Sequence, residues 1–191
     1  MKSKQKLIGL ICMAIGLILV LHVNKDYHKV ASITKQSYSH FNRHSALFPL
    51  QPIKTGKKIA AITIPSRKER IPVYEGTSTD ILQKGAGHYL KSALPGEKNN
   101  MILSGHRDTF FRFLKEMKRN DSIIVETANK DYEYKITRLA VVSKHDQTIL
   151  TPKSRPVLTL TTCYPFTFIG NAPKRYIVTA ELIKTIDLEQ D

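Results

Sequence analysis

Cysteine is scarce in this chain of 191 residues: there are two, Cys12 and Cys163. Cys12 lies inside a long apolar run, so the two cannot pair, and a disulfide framework is excluded. Acidic residues are also few, 16 Asp and Glu against 30 Lys and Arg, giving a formal charge of +14. That balance attracts polyanions, including anionic lipid head groups and acidic wall polymers. Nucleic-acid binding does not follow, because the cations are spread along the chain without a recognition helix or finger spacing. There is no internal repeat, low-complexity tract or GxGxxG phosphate loop, and no carboxylate cluster that would hold calcium, so neither a metal nor a cofactor is expected.

One apolar run is present. Lys2, Lys4 and Lys6 precede "LIGLICMAIGLILVLHV", 17 uncharged residues from Leu7 to Val23. A run of that length is at the short end of what a bilayer-spanning helix needs. No small-x-small cleavage site follows, so residues 1–24 are expected to be a short cytoplasmic tail and an uncleaved anchor, with the rest extracellular at the cell membrane. Cys163 then becomes the lone thiol of the outer portion, a candidate reactive group. Residues 25–57 carry charges, Ser and His, then Pro49 and Pro52, and are expected to be a spacer. Val30, Ile33, Ser37 and Phe41 mark one face of a helix within it.

From residue 58 to 191 the pattern changes to short β-like runs separated by turns, among them "IAAITIP", "NNMILSGH", "DSIIVET", "PVLTLTTC" and "RYIVTAELI". Their spacing predicts an all-β sheet or closed barrel rather than βαβ units. Two short helices are expected. "TDILQKG" would start at Thr79 or Asp80 and end at Gly85. "DTFFRFLKEMKRND" has Phe110, Phe113, Leu114 and Met117 at helical spacing, with Asp108 or Thr109 as N-cap. "ANKD" predicts a hairpin turn.

A nucleophilic thiol needs a base or cation beside it, and the oxyanion formed on attack needs donors. Of seven histidines, His22, His28, His40 and His44 precede the β-rich part. His88 is expected in a glycine-flanked loop, where packing or capping suits it, and His145 in a polar loop beside Asp146. His106 in "MILSGHRDTFF" follows an apolar strand directly and precedes the predicted helix, which places its imidazole at a strand mouth. Arg175 opens the strand after Cys163. If those two strands are antiparallel neighbours, Cys163 and Arg175 are close in space, and a guanidinium can donate two hydrogen bonds to one carbonyl. Alternation along "VLTLTTC" puts Leu158 and Leu160 on one face and Val157, Thr159, Thr161 and Cys163 on the other.

Taken together, "TLTTC", the arginine opening the next strand and the upstream "SGHRDTFF" resemble the sortase family of membrane-anchored cysteine transpeptidases. "IPVYEGTS", "GAGHY", "LPGEKNN" and "CYPFTFIGNAPKRY" extend the likeness from about Ile59 to Ile183, and the neighbourhoods of His106 and Cys163 look most like the class D sortases of Gram-positive bacteria. The spacer lacks the Asp-Pro-aromatic lid of pilin-polymerising sortases. The resemblance implies a closed sortase-type barrel of about eight strands with two or more short helices. It implies that Cys163 attacks the threonine carbonyl of an LPxT-type sorting signal, as in LPxTG or LPNTA, that His106 shuttles the proton, and that Arg175 steadies the oxyanion. Thr162 would help build the oxyanion site. The implied partners are secreted proteins bearing that signal and an amine of a peptidoglycan precursor, with hydrolysis when no amine is available. A membrane-tethered barrel that only binds wall polymer or an envelope partner is the competing reading, with Cys163 structural.

Overall fold

The computed structural model of the chain describes residues 53–167 and 170–188, together with Met13, Gly16, Leu17 and Leu21. Cys12, the rest of the expected anchor and the spacer helix lie outside the described residues, while Met13, Gly16, Leu17 and Leu21 are helical and exposed. Among those described, no helix is long and apolar enough to cross a membrane.

Eight strands form one closed barrel: β1 (Lys58–Ile64), β2 (Glu69–Glu75), β3 (Ala86–His88), β4 (Asn100–Ser104), β5 (Ser122–Glu126), β6 (Lys130–Ser143), β7 (Val157–Tyr164) and β8 (Lys174–Asp187). Around the barrel the order is β1-β2-β3-β4-β7-β8-β6-β5, closing from β5 onto β1. Alternating residues explain the closure. Ala60, Ile62 and Ile64 of β1, Ile123 and Val125 of β5, Leu158 and Leu160 of β7, and Val178 and Ala180 of β8 all turn inward to one apolar core. Each large aliphatic side chain buried there stabilises the fold by roughly 1.5–3 kcal/mol. The predicted alternation in β7 holds on its inner side, where Leu158 and Leu160 are fully buried.

Two adjacencies are parallel, β2 with β3 and β4 with β7, and the others are antiparallel. A parallel neighbour needs a long crossover, here supplied by β5, β6 and the segments around them. Its effect is to bring the C-terminal ends of β4 and β7 to the same rim of the barrel. Since β8 runs antiparallel to β7, its first residues lie at that rim too.

"ANKD" forms the β5–β6 turn, where the Thr127 hydroxyl donates to the Lys130 carbonyl at 2.7 Å. Three expectations need correction. The first helix, α1, starts at Thr79 as expected but is a single turn, Thr79–Leu82, with Ser78 as N-cap. Gly85 is not its terminator. A Cβ there would lie 2.3 Å from the Pro72 carbonyl, so glycine is needed for the approach to β2. The stretch read as a second helix forms turns and a short 3-10 helix, Arg112–Lys115, capped by Phe111 without a side-chain bond. The residues of the expected stripe are buried, but so is Phe111, whose ring meets Phe113 edge-on with centroids 6.0 Å apart. Phe110, Phe111, Phe113 and Leu114 all join the core from these turns and the 3-10 helix. Finally, the stretch carrying His88 is a strand, β3, rather than a loop.

Candidate active site

Cys163 lies at the end of β7, partly exposed, and its cross-strand partner is Arg175 on β8. Directly opposed residues of an antiparallel pair have Cβ atoms about 4.5–5.5 Å apart, so the two side chains leave the sheet side by side on one face. Arg175 Nη1 donates to the carbonyls of Ala172 and Lys174, at 3.2 and 3.0 Å. Its other N–H groups make no bond to a described residue.

His106 reaches the same rim from β4. Ser104 pairs with Thr161 in the parallel ladder, and the next residue, Gly105, is held to β7 twice. Its N–H donates to the Thr161 carbonyl at 3.2 Å, and its carbonyl accepts the Thr162 hydroxyl at 2.7 Å. These bonds fix the residue before His106 against the two residues before Cys163. The His106 carbonyl then accepts the Phe111 N–H at 2.9 Å, which turns the chain back over the barrel. Gly105 is needed here because a Cβ would meet the Phe111 ring at 2.6 Å.

Thus Cys163, His106 and Arg175, chosen from three separate strand ends, lie at one rim. Thr162 is placed differently: its side chain is buried, and its hydroxyl is committed to the Gly105 carbonyl. In this structure it clasps β7 to the His106 loop. Below the rim Tyr164, Phe166 and Tyr176 pack together, Tyr164 stacked on Tyr176 at 6.1 Å and Phe166 edge-on to both. Phe166 and Tyr176 also pack on the core, closing this end of the barrel. Burial, followed by the neighbouring Tyr164, raises the Tyr176 phenol above its ordinary value.

The other histidines lie elsewhere. His88 is buried, with Nδ1 2.9 Å from Glu75 Oε2 and Nε2 2.9 Å from both the Ala93 carbonyl and the Ser92 hydroxyl. A carbonyl only accepts, so Nε2 carries hydrogen, and both ring nitrogens are used inside the fold. The packing role expected for His88 agrees with this. His145 is exposed, and its neighbour Asp146 turns to the Thr148 N–H at 2.7 Å. The Thr148 bonds hold the Asp146 carboxyl below its usual range.

Along the outer face of β7, upstream of Cys163, runs a groove of about 640 Å³. Its floor includes Val157 and Thr159 of β7 and Ile177 and Thr179 of β8, and its wall includes Ile149 and Lys153 of the β6–β7 connection. Val157 and Thr159 are the outward set that alternation predicted. Two contributors were not singled out from sequence. Arg107 Nη2 donates to the Gly170 carbonyl at 3.1 Å, joining the His106 loop to the β7–β8 connection. Asn100 lines the groove from β4. Its only sequence signal was an amide side chain at the start of an apolar strand.

Comparison with known proteins gives one family. The family described as Sortase domain matches residues 62–183. Sortase D of Bacillus subtilis (strain 168) is 39% identical over 149 residues, which are 78% of this chain and 73% of that protein. The solved catalytic domain of B. anthracis SrtD aligns at 38% identity with a TM-score of 0.62, covering 74% of this chain and 98% of that one. Sortase E1 from Streptomyces coelicolor, solved with a tripeptide in its active site, aligns at 31% identity with a TM-score of 0.62, covering 69% of this chain and 91% of that one.

Proposed function

The chain belongs to the sortase family, and from that footing we propose that it is a cysteine transpeptidase that joins secreted proteins to the cell wall. The observation that carries this reading is the register of β7 with its two neighbours. One pairing sets Cys163 opposite Arg175, and the other ends β4 two residues before His106.

The substrate is a peptide with an LPxT-type sorting signal, laid along the outer groove so that its threonine carbonyl reaches the rim. The Cys163 sulfur adds to that carbonyl carbon, and Arg175 donates hydrogen bonds to the oxygen as it becomes negative. The C–N bond after threonine breaks and a thioester forms. The thiol proton passes by way of the His106 imidazole to the leaving amine. An amine of peptidoglycan or its precursor then attacks the thioester, its proton returning through His106 to the departing sulfur. Water replaces the amine when no acceptor is present. Residues 1–24 anchor the enzyme in the cell membrane with residues 25–57 as spacer, so that the catalytic domain, 58–191, works on the outer face. The basic surface suits anionic lipid and wall polymers there.

Mass spectrometry of the full-length protein, incubated with LPxTG- and LPNTA-like peptides with and without diaminopimelate or oligoglycine, tests the reading. A thioacyl adduct on Cys163 and an amine-dependent product are expected. Cys163→Ala and His106→Ala abolish turnover in the folded protein, and Arg175→Ala lowers kcat by about 10²–10³-fold, the usual cost of losing an oxyanion donor. Undiminished turnover in Cys163→Ala sinks the proposal.

A further inference from the structure

Asn100 is the first residue of β4 and 4% exposed, and both ends of its amide are occupied. Nδ2 donates to the Ile149 carbonyl at 2.6 Å, and Oδ1 accepts the Thr159 hydroxyl at 2.7 Å. Thr159 belongs to the groove floor and Ile149 to the wall, so one side chain spans the corner between them. The preceding residue adds to this. Asn99 Oδ1 accepts the Lys153 N–H at 2.9 Å, and its carbonyl accepts the Val157 N–H at 2.9 Å. The β6–β7 connection, which forms the wall, is therefore held at two points, by Asn100 at the start of β4 and by Asn99 just before it.

We infer that Asn100, assisted by Asn99, is a positioning residue for the peptide substrate: it sets the distance between the β6–β7 wall and the β7 floor and touches no reacting atom. The inference rests on the transpeptidase reading for its kinetic consequence, while the tether itself is independent of that reading. The barrel does not depend on these side-chain bonds for its closure, because β4 and β7 are already joined by their backbone ladder from Asn100 and Val157 onward. What the amide adds is confined to the connection. A wall that drifts from its floor weakens ground-state and transition-state binding together, which raises KM and leaves kcat in place.

Asn100→Asp separates the two bonds. A carboxylate still accepts from Thr159 but cannot donate to Ile149 and repels its carbonyl. Thr159→Val removes the other bond, and Thr159→Ser restores the hydroxyl. Full-length protein in detergent micelles is assayed on an LPxTG-type peptide, and backbone hydrogen exchange is followed across residues 147–153. For Asn100→Asp the expected result is a KM raised about tenfold with kcat within about twofold, faster exchange across 147–153, and an unchanged rate of Cys163 alkylation by iodoacetamide. Thr159→Val moves in the same direction, and Thr159→Ser recovers most of the loss. An unchanged KM, a fall in kcat matching that in kcat/KM, or unaltered exchange in the folded Asn100→Asp protein overturns the inference. If the unsubstituted protein turns over no peptide, the transpeptidase reading fails, and the exchange measurement still decides whether Asn100 holds the wall.

Discussion

Gly105 and Thr162 act on the site without doing chemistry. A methyl group on Gly105 would enter the Phe111 ring, so Gly105→Ala forces either the ring or the His106 loop to move. Overpacking of this kind costs about 1–3 kcal/mol. The expected outcome is a lower urea midpoint together with reduced peptide turnover, because the displaced loop carries His106. Thr162→Val is nearly isosteric and leaves the Gly105 carbonyl without its hydroxyl donor, at about 1–3 kcal/mol for an unmet buried acceptor. Thr162→Ser keeps the donor and recovers most of that loss. Equilibrium unfolding of the three variants measures these changes. The sequence suggested Cys163, His106 and Arg175 because a thiol, an imidazole and a guanidinium are each suited to such chemistry and each stands at a strand end. The clasp between Thr162 and Gly105 was not legible, since it depends on a parallel register between strands far apart in the chain.

At the scale of elements, strands with regular alternation were readable and short irregular pieces were not. β7 and β8 announce themselves by inward aliphatic residues every second position. β3 has three residues, two of them Gly and His, and too little pattern to separate it from a loop. The segment 107–117 misled for a different reason. Its apolar spacing fits a helix, yet the chain forms turns and a 3-10 helix there, with Phe111 held by the His106 carbonyl and its ring packed over Gly105. Phe113→Ala tests how far this cover stabilises the barrel. A loss of about 3–5 kcal/mol is expected for an aromatic truncated in the core, with hydrogen exchange accelerated across 105–117 and measured alongside urea unfolding. A stability change under about 1 kcal/mol would mean that the segment packs loosely on the core.

For the whole molecule, the core contains a titratable group with a predictable pH signature. Tyr134 on β6 is fully buried, and burial pushes its phenol up to about 12, partly opposed by the Gly96 N–H that donates to its oxygen. An unfolded tyrosine ionises near pH 10. Above that pH the unfolded chain releases a proton that the folded chain retains, so the stabilisation from Tyr134 is complete below about pH 10 and declines as pH rises toward 12. Urea unfolding between pH 8 and 11.5 should show stability falling with pH, and Tyr134→Phe should flatten part of that slope. By itself the sequence determined the two faces of β7 and the all-β class and nominated Cys163, His106 and Arg175, because these follow from alternation and from the chemistry of individual residue types. Only the tertiary structure decided that Cys163 faces Arg175, that parallel pairing of β4 and β7 carries His106 to the same rim, and that Asn100 joins the groove's wall to its floor. Each of those depends on hydrogen bonds between segments distant in sequence, and local pattern does not encode which distant backbone a strand will meet.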